Sequence, residues 1–385
     1  MPVDLPPHAS VVVIGGGVIG VSAAFHLAEA GVPDVLLLDA GPFGGGSTCK
    51  AAGGVRAMFS DAVNIELGAR SLEAFARFGE RPGQEIDLHR VGYLFLLERP
   101  EHVRAMTEAV ELQNALGVPS RMIGPEEARQ LSPLISTDGL LAAAWSPTDG
   151  HCTPESVVLG YATGARRHGA TLVPHCAVTG VHVEDGAVRA VVTPRGTVTT
   201  DTVVCAAGPW SQQVGALAGV ELPVTPLRRQ VVITEPVPDL PVDLPFTIEF
   251  ASSFYFHREG RGLLMGMSDK DETPGFRLDR SDDWLPALGE AVSWRTPALA
   301  DVGLHSGWAG LYEMTPDHNA LIGEVEQVDR FLYATGFSGH GFLMGPAVGE
   351  VLRDLVLRRR PAVDVTALSV ERLRHDELRR EVNVV

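Results

Sequence analysis

The chain opens on a wholly apolar run, Val11 to Ile14, followed by glycines at 15, 16, 17 and 20 and by helical periodicity from Val18 to about Ala30. A short apolar run that ends in glycines reads as a buried strand and a tight turn. Val35 to Leu38 repeats the apolar pattern and ends in Asp39. Helical spacing returns over Ala62 to Phe78, Pro100 to Leu116, Pro125 to Gln130 and Pro154 to His168, the last with Thr153 as its cap. Extended segments are expected at His89 to Leu97, Thr171 to Val173, Ala177 to Glu184, Val188 to Thr193, Thr197 to Cys205 and Arg229 to Thr234. Phe254 to His257 should pair with Leu263 to Met267 through Glu259-Gly260-Arg261-Gly262. A strand at Phe331 to Thr335, a glycine-punctuated turn and a helix from about Pro346 to Arg358 close the pattern.

This order predicts an α/β fold. A Rossmann-like dinucleotide domain is assembled from discontinuous segments, 1–84, 145–220 and 322–385. Segments 85–144 and 221–321 form a second, substrate domain on a mixed or antiparallel sheet that roofs the site. A chain of 385 residues, 45% hydrophobic, is long enough for two cores. In the opening turn Gly15 permits the reversal, Gly17 lets backbone approach a pyrophosphate and Gly20 lets the helix pack on the sheet. Phosphates would sit at the helix N-terminus, where N–H groups point outward. Asp39 stands where an acid meets the adenosine ribose. Gly41 to Thr48 is glycine-rich enough for backbone to lie against a large planar ligand, and Val203 to Trp210 repeats strand, small residues, helix.

The formal charge of −17 argues against a nucleic-acid partner. Four cysteines, at 49, 152, 176 and 205, without paired spacing fit a reducing cytoplasm. No basic leader precedes the first strand and no apolar run reaches transmembrane length, so neither secretion nor membrane insertion is expected. No metal site is expected.

Five separated motifs carry a resemblance. They are Gly15-x-Gly17-x-x-Gly20, Gly46-Ser47-Thr48 leading to Gly54-Val55-Arg56, Val204 to Trp210, Gly310 to Asp317, and Gly336 to Phe342. Together they resemble the D-amino-acid-oxidase-like FAD-dependent oxidoreductases: sarcosine oxidase, glycine oxidase and dimethylglycine dehydrogenase. Through Gly53 to Phe59 the chain is most similar to the sarcosine oxidase and proline dehydrogenase β-subunit branch. The resemblance implies FAD, with Asp39 and Ala40 at the ribose and Val178 near adenine. It implies further contacts from Val18, Ile19, Gly46, Ser47, Thr48, Lys50, Ala52, Gly53, Ala207, Gly208, Trp210, Gly310 and Tyr312. Gly339, His340, Gly341, Phe342 and Leu343 would lie beneath the flavin pyrimidine end, where backbone N–H groups stabilise negative charge on the reduced ring. Gly310 and Lys50 stand where relatives carry a cysteine or histidine linked to flavin, which implies non-covalent FAD.

The same resemblance implies oxidation of a secondary or tertiary amine, an N-alkyl or cyclic amino acid. Hydride leaves the carbon alpha to nitrogen for flavin N5, and the imine hydrolyses. Arg56 matches an arginine that grips the substrate carboxylate, Tyr255 and His257 are further contacts from the roof, and His340 is a further donor. Arg229 is a weaker candidate beside Arg228. A second carboxylate ligand of sarcosine oxidase is replaced by Leu343, which leaves room for an amine other than sarcosine. The oxygen-activating lysine of that enzyme is missing from Gly262 to Gly266, which favours a dehydrogenase. Two alternatives stand beside this reading: an FAD-bearing β-like subunit of a larger complex, and an NAD-dependent dehydrogenase. A partner subunit and a homo-oligomer are both left open.

Overall fold

Four strands without a polar side chain facing water, Val11–Ile14, Val35–Leu38, Val203–Cys205 and Phe331–Thr335, form the middle of a six-stranded sheet. The computed structural model describes residues 5–374 and 378–383. Strand order across this sheet is Leu321–Glu324, Phe331–Thr335, Val203–Cys205, Val11–Ile14, Val35–Leu38 and Thr171–Val173. All neighbours run parallel except the first pair. Continuous apolar runs suit this arrangement because helices cover a parallel sheet's faces. Helices Val18–Glu29, Pro154–Arg167 and Gly341–Val356 pack in one apolar cluster with residues of these strands. The first and last of these approach closely: a Cβ on Gly349 would lie 2.1 Å from Ser22 Oγ, and one on Gly345 2.5 Å from Val18.

A second sheet has eight strands, in the order Leu304–Met314, Thr225–Thr234, Gly262–Gly266, Tyr255–Glu259, Phe246–Glu249, Tyr93–Leu97, Ala142–Ser146 and Arg121–Ile123. Only Phe246–Glu249 and Tyr93–Leu97 run parallel within it. The strand Ala142–Ser146 continues across the expected boundary at 145, because Trp145 and Ser146 pair with Leu94 and Tyr93. A three-stranded meander, Gly180–Glu184, Ala187–Thr193 and Gly196–Thr199, stands apart. Its first hairpin turns on Asp185 and Gly186, both at positive φ, as a two-residue loop requires.

Three expectations are corrected. Thr197 to Cys205 is not one strand: Gly196–Thr199 belongs to the meander and Val203–Cys205 to the parallel sheet, with the buried Thr200 and Thr202 hydrogen-bonding each other at the crossing. Pro346 does not start the last helix but lies inside it; the helix begins at Gly341. Thr153 occupies the cap position before Pro154, yet its side chain caps nothing.

Burial sets a pH dependence. It lowers His26 and His257 to about 4, His151 to about 2, and His340 well below its ordinary value. Each stays neutral when folded and takes a proton on unfolding below pH 6.5, so stability present above 6.5 is lost as pH falls. Burial raises Asp149 and Glu313 to about 7; these hold a proton when folded and oppose the trend between about 4.5 and 7. The four histidines outnumber the two acids, whose opposition ends below about 4.5 for Glu313 and about 3.8 for Asp149. The expected result is a urea midpoint that declines from pH 6.5 to 4.5; a midpoint that rises on acidification over that range would contradict it.

Candidate active site

A cavity of about 740 Å³ lies between the two large sheets and takes its walls from both. From the opening turn it collects Gly15, Gly17, Val18, Ile19, Asp39 and Ala40, and from the glycine-rich loop Gly46, Ser47, Thr48, Lys50, Ala52 and Gly53. Val178, Ala207, Gly208 and Trp210 extend the same wall, and Gly310 and Tyr312 join from the eight-stranded sheet. Gly339, His340, Gly341, Phe342 and Leu343 close one end, beside Arg56 and Tyr255. Residues separated by more than 300 positions are thus brought to one space. Two expected residues are outside the lining, Gly20 and His257. Gly20 acts in packing: its Cβ would lie 1.8 Å from the Gly15 carbonyl oxygen, so any side chain would force the helix off the turn. The buried His257 ring is held between the backbone carbonyls of Ala52, 2.9 Å from Nε2, and Arg258, 2.8 Å from Nδ1.

The opening turn is built for close approach. Gly15 has φ +108°, and its Cβ would stand 2.3 Å from the Ala206 carbonyl oxygen. Asp39 accepts from the Gly16 and Gly41 N–H groups at 2.5 and 2.6 Å, which pins its carboxylate beside the turn. Burial raises the Asp39 pKa while those two donors lower it. Thr48 Oγ accepts from the Val18 N–H at 3.0 Å, and Ser47 Oγ donates to the Leu311 carbonyl at 2.6 Å. The glycine-rich loop therefore ties the first helix to the second sheet. Gly17 contributes no cap of its own, so Thr48 takes the first N–H of that helix, and Gly17, Val18 and Ile19 line the cavity.

The last helix begins in a similar way. The helix Gly341–Val356 starts at His340 without a side-chain cap, and its first turn lines the cavity. Gly339 has φ +101°, and its Cβ would meet the Tyr312 ring at 2.5 Å. Glu313 accepts from Thr335 Oγ at 2.8 Å and from the Gly336 N–H at 2.9 Å, anchoring this turn to the strand Leu304–Met314.

Arg56 is 2% exposed. Its guanidinium donates to the carbonyls of Met58 and Asn383, approaches His340 Nε2 at 3.2 Å and lies 4.2 Å over the Phe59 ring. Three of its five N–H donors are thereby engaged. His340 Nε2 is the acceptor in that contact, so the expected extra donor is turned toward the protein. Among the described residues no carboxylate oxygen lies within 4.0 Å of Arg56. Tyr93, Phe246 and Tyr255 form a stacked aromatic wall, with ring centroids 4.4 and 5.5 Å apart. Tyr93 and Phe246 escaped the sequence reading; Tyr93 lies on the strand expected at His89 to Leu97, and the strand Phe246–Glu249 was not expected.

Residues 10–355 match the family described as DAO, FAD dependent oxidoreductase. The chain belongs to this FAD-dependent family. It is 32% identical to mitochondrial dimethylglycine dehydrogenase of Rattus norvegicus over 96% of its own length and 45% of the relative's. It is 28% identical to 4-methylaminobutanoate oxidase (formaldehyde-forming) of Paenarthrobacter nicotinovorans, over 96% and 46%. The chain thus spans less than half the length of these curated relatives. The crystal structure of L-proline dehydrogenase from P. horikoshii superposes with a TM-score of 0.91 at 34% identity, covering 97% of this chain and 100% of that one. Membership in an FAD-dependent oxidoreductase family disfavours the nicotinamide alternative.

The cavity fits FAD on its own geometry. It has a glycine turn that a Cβ would fill, a carboxylate fixed beside it, and two helices whose first turns line it. The two positions where the resemblance implied a flavin attachment pack against each other: a Cβ on Gly310 would lie 3.0 Å from Lys50 Cβ. Lys50 Nζ donates to the Gly45 carbonyl at 3.1 Å. Burial pushes the Cys49 thiol up to about 11, and Cys49 does not line the cavity.

Proposed function

We propose that the chain oxidises a secondary or tertiary amine, an N-alkyl or cyclic amino acid, at the carbon bonded to nitrogen. The observation that carries this reading is one cavity that joins a glycine-lined nucleotide arm to an aromatic wall bearing cationic side chains. FAD, when bound, supplies the hydride acceptor. Segments 1–84, 147–220 and 322–385 hold most of it, with Gly310 and Tyr312, and 85–146 and 221–321 face the substrate together with Arg56. Tyr93, Phe246 and Tyr255 exclude water and disfavour the ammonium form, which keeps the nitrogen lone pair available. Arg56 contributes fixed positive charge that draws a carboxylate into the cavity. No protein base is required, because the neutral amine itself drives hydride from carbon. The imine then hydrolyses in water to a carbonyl compound and a smaller amine, or to the open form of a ring.

The dehydrogenase reading rests on the resemblance, by which Gly262 to Gly266 lacks the oxygen-activating lysine of sarcosine oxidase. The test of the reaction is product analysis. With sarcosine, dimethylglycine, N-methyl amino acids and L-proline, and an artificial electron acceptor, the expected products are formaldehyde from N-methyl substrates or a cyclic imine from proline. Acceptor reduction without either product would overturn the reading.

We further infer non-covalent FAD, supported by Gly310, Lys50 and the un-ionised Cys49 thiol. Acid precipitation should release the yellow cofactor into the supernatant, and Cys49→Ser should change nothing; flavin retained in the pellet would contradict this. Among the described residues no helix is long and apolar enough to cross a membrane. The four cysteines are unpaired, which supports a reducing compartment. The rat relative is named as mitochondrial, so the cytoplasm rests on cysteine usage alone.

A further inference from the structure

The strand Thr225–Thr234 carries two consecutive arginines whose surroundings differ completely. Successive side chains on a strand point to opposite faces. Arg228 turns away from the cavity into a buried ion pair: Nε lies 2.5 Å from Glu272, and Nη1 lies 2.7 Å from the Asp279 carbonyl oxygen. Arg229 turns into the cavity, opposite Gly310 in the strand register and 5.4 Å from the Tyr312 ring centroid. Its Nη1 donates to the Arg228 carbonyl at 3.1 Å, but its Nε is shielded from water and has no hydrogen-bond partner among the described residues. No carboxylate there lies within 4.0 Å of it. An orphaned N–H on a shielded guanidinium is costly unless something fills it.

We propose that Arg229, and not Arg56, makes the direct contact with the substrate carboxylate. This rests on the functional reading above. A guanidinium offers a carboxylate two parallel N–H donors. Arg229 lines the cavity with one donor engaged and its Nε without a partner among the described residues, whereas Arg56 has three donors fixed by Met58, Asn383 and His340. Arg229 supplies the fork, and Arg56 supplies charge from behind a settled hydrogen-bond set. With Tyr255 and Tyr312 on the same wall, the carboxylate is held against the second sheet.

The test uses the FAD-loaded protein and two unreactive probes, pyrrole-2-carboxylate and its carboxamide. Binding is read by perturbation of flavin absorbance and by calorimetry. Arg229→Gln should weaken the carboxylate roughly 10²-fold, as loss of two charge-assisted hydrogen bonds predicts, and leave the carboxamide unchanged. Arg229→Lys keeps the charge but loses the fork and should weaken the carboxylate nearly as much. Arg56→Lys keeps its charge and should cost less than about tenfold. FAD content should be constant in all three. Unchanged carboxylate affinity in Arg229→Gln, or equal loss for carboxamide and carboxylate, would overturn the assignment; so would a larger loss in Arg56→Lys than in Arg229→Lys. A wild-type protein that binds neither probe and is bleached by no amine would overturn the functional reading, and the assignment with it.

Discussion

Gly15→Ala should yield a folded but largely colourless protein. The residue sits at φ +108°, and the new Cβ would meet the Ala206 carbonyl oxygen at 2.3 Å, backbone against backbone. Strain from that φ alone costs on the order of 1–3 kcal/mol, and the clash adds a shift of the turn away from the strand Val203–Cys205. The shift falls on Asp39 and the start of the first helix, which together form the nucleotide end of the cavity. Gly31→Ala is the matched control: φ is +82°, but nothing lies within 4 Å of the new Cβ. It should cost about 1 kcal/mol in stability and keep its flavin. Absorbance per protein and a urea midpoint for each variant check both statements; equal flavin loss in the two would show that glycine strain, and not the cavity, governs binding.

Arg56→Ala should reduce the efficiency of flavin reduction by a carboxylate-bearing amine by roughly 10²-fold, the scale expected for one buried charge lost from a site. The carbonyls of Met58 and Asn383 and the His340 nitrogen lose their donor at the same time. Each orphaned group costs about 1–3 kcal/mol, so the urea midpoint should fall as well. FAD content should hold within about twofold, because His340 is the one expected cofactor residue that Arg56 bonds among the described contacts. Arg56→Lys should fall between, and an amine without a carboxylate should lose much less. Rapid-mixing kinetics with matched substrates is the measurement. Equal loss with both kinds of amine would make Arg56 purely structural.

The cofactor end was legible because it is written locally. An apolar tetrad, a glycine turn and an acid after the next strand encode a binding element within about 30 consecutive positions, as such fingerprints do. The substrate end is written non-locally. Tyr93, Phe246, Tyr255 and Arg229 meet only because strands from distant parts of the chain align in one sheet, and strand periodicity gives a face without giving neighbours. His257 shows the limit of that rule. It shares the face of Tyr255 two residues away, yet the Ala52 carbonyl takes its ring before it reaches the cavity. The hold of Asn383 on Arg56 had no motif to announce it. The early start of the last helix was hidden by Pro346, which normally marks a helix beginning and here lies within one.

The most direct measurement of the central claim is anaerobic titration of the FAD-loaded protein with sarcosine, dimethylglycine, an N-methyl amino acid and L-proline, followed at the flavin absorbance bands. At least one of them should bleach the flavin with one equivalent of substrate per flavin, and an electron acceptor should restore the colour. A flavin that stays oxidised with every amine, yet bleaches with dithionite, would contradict the account.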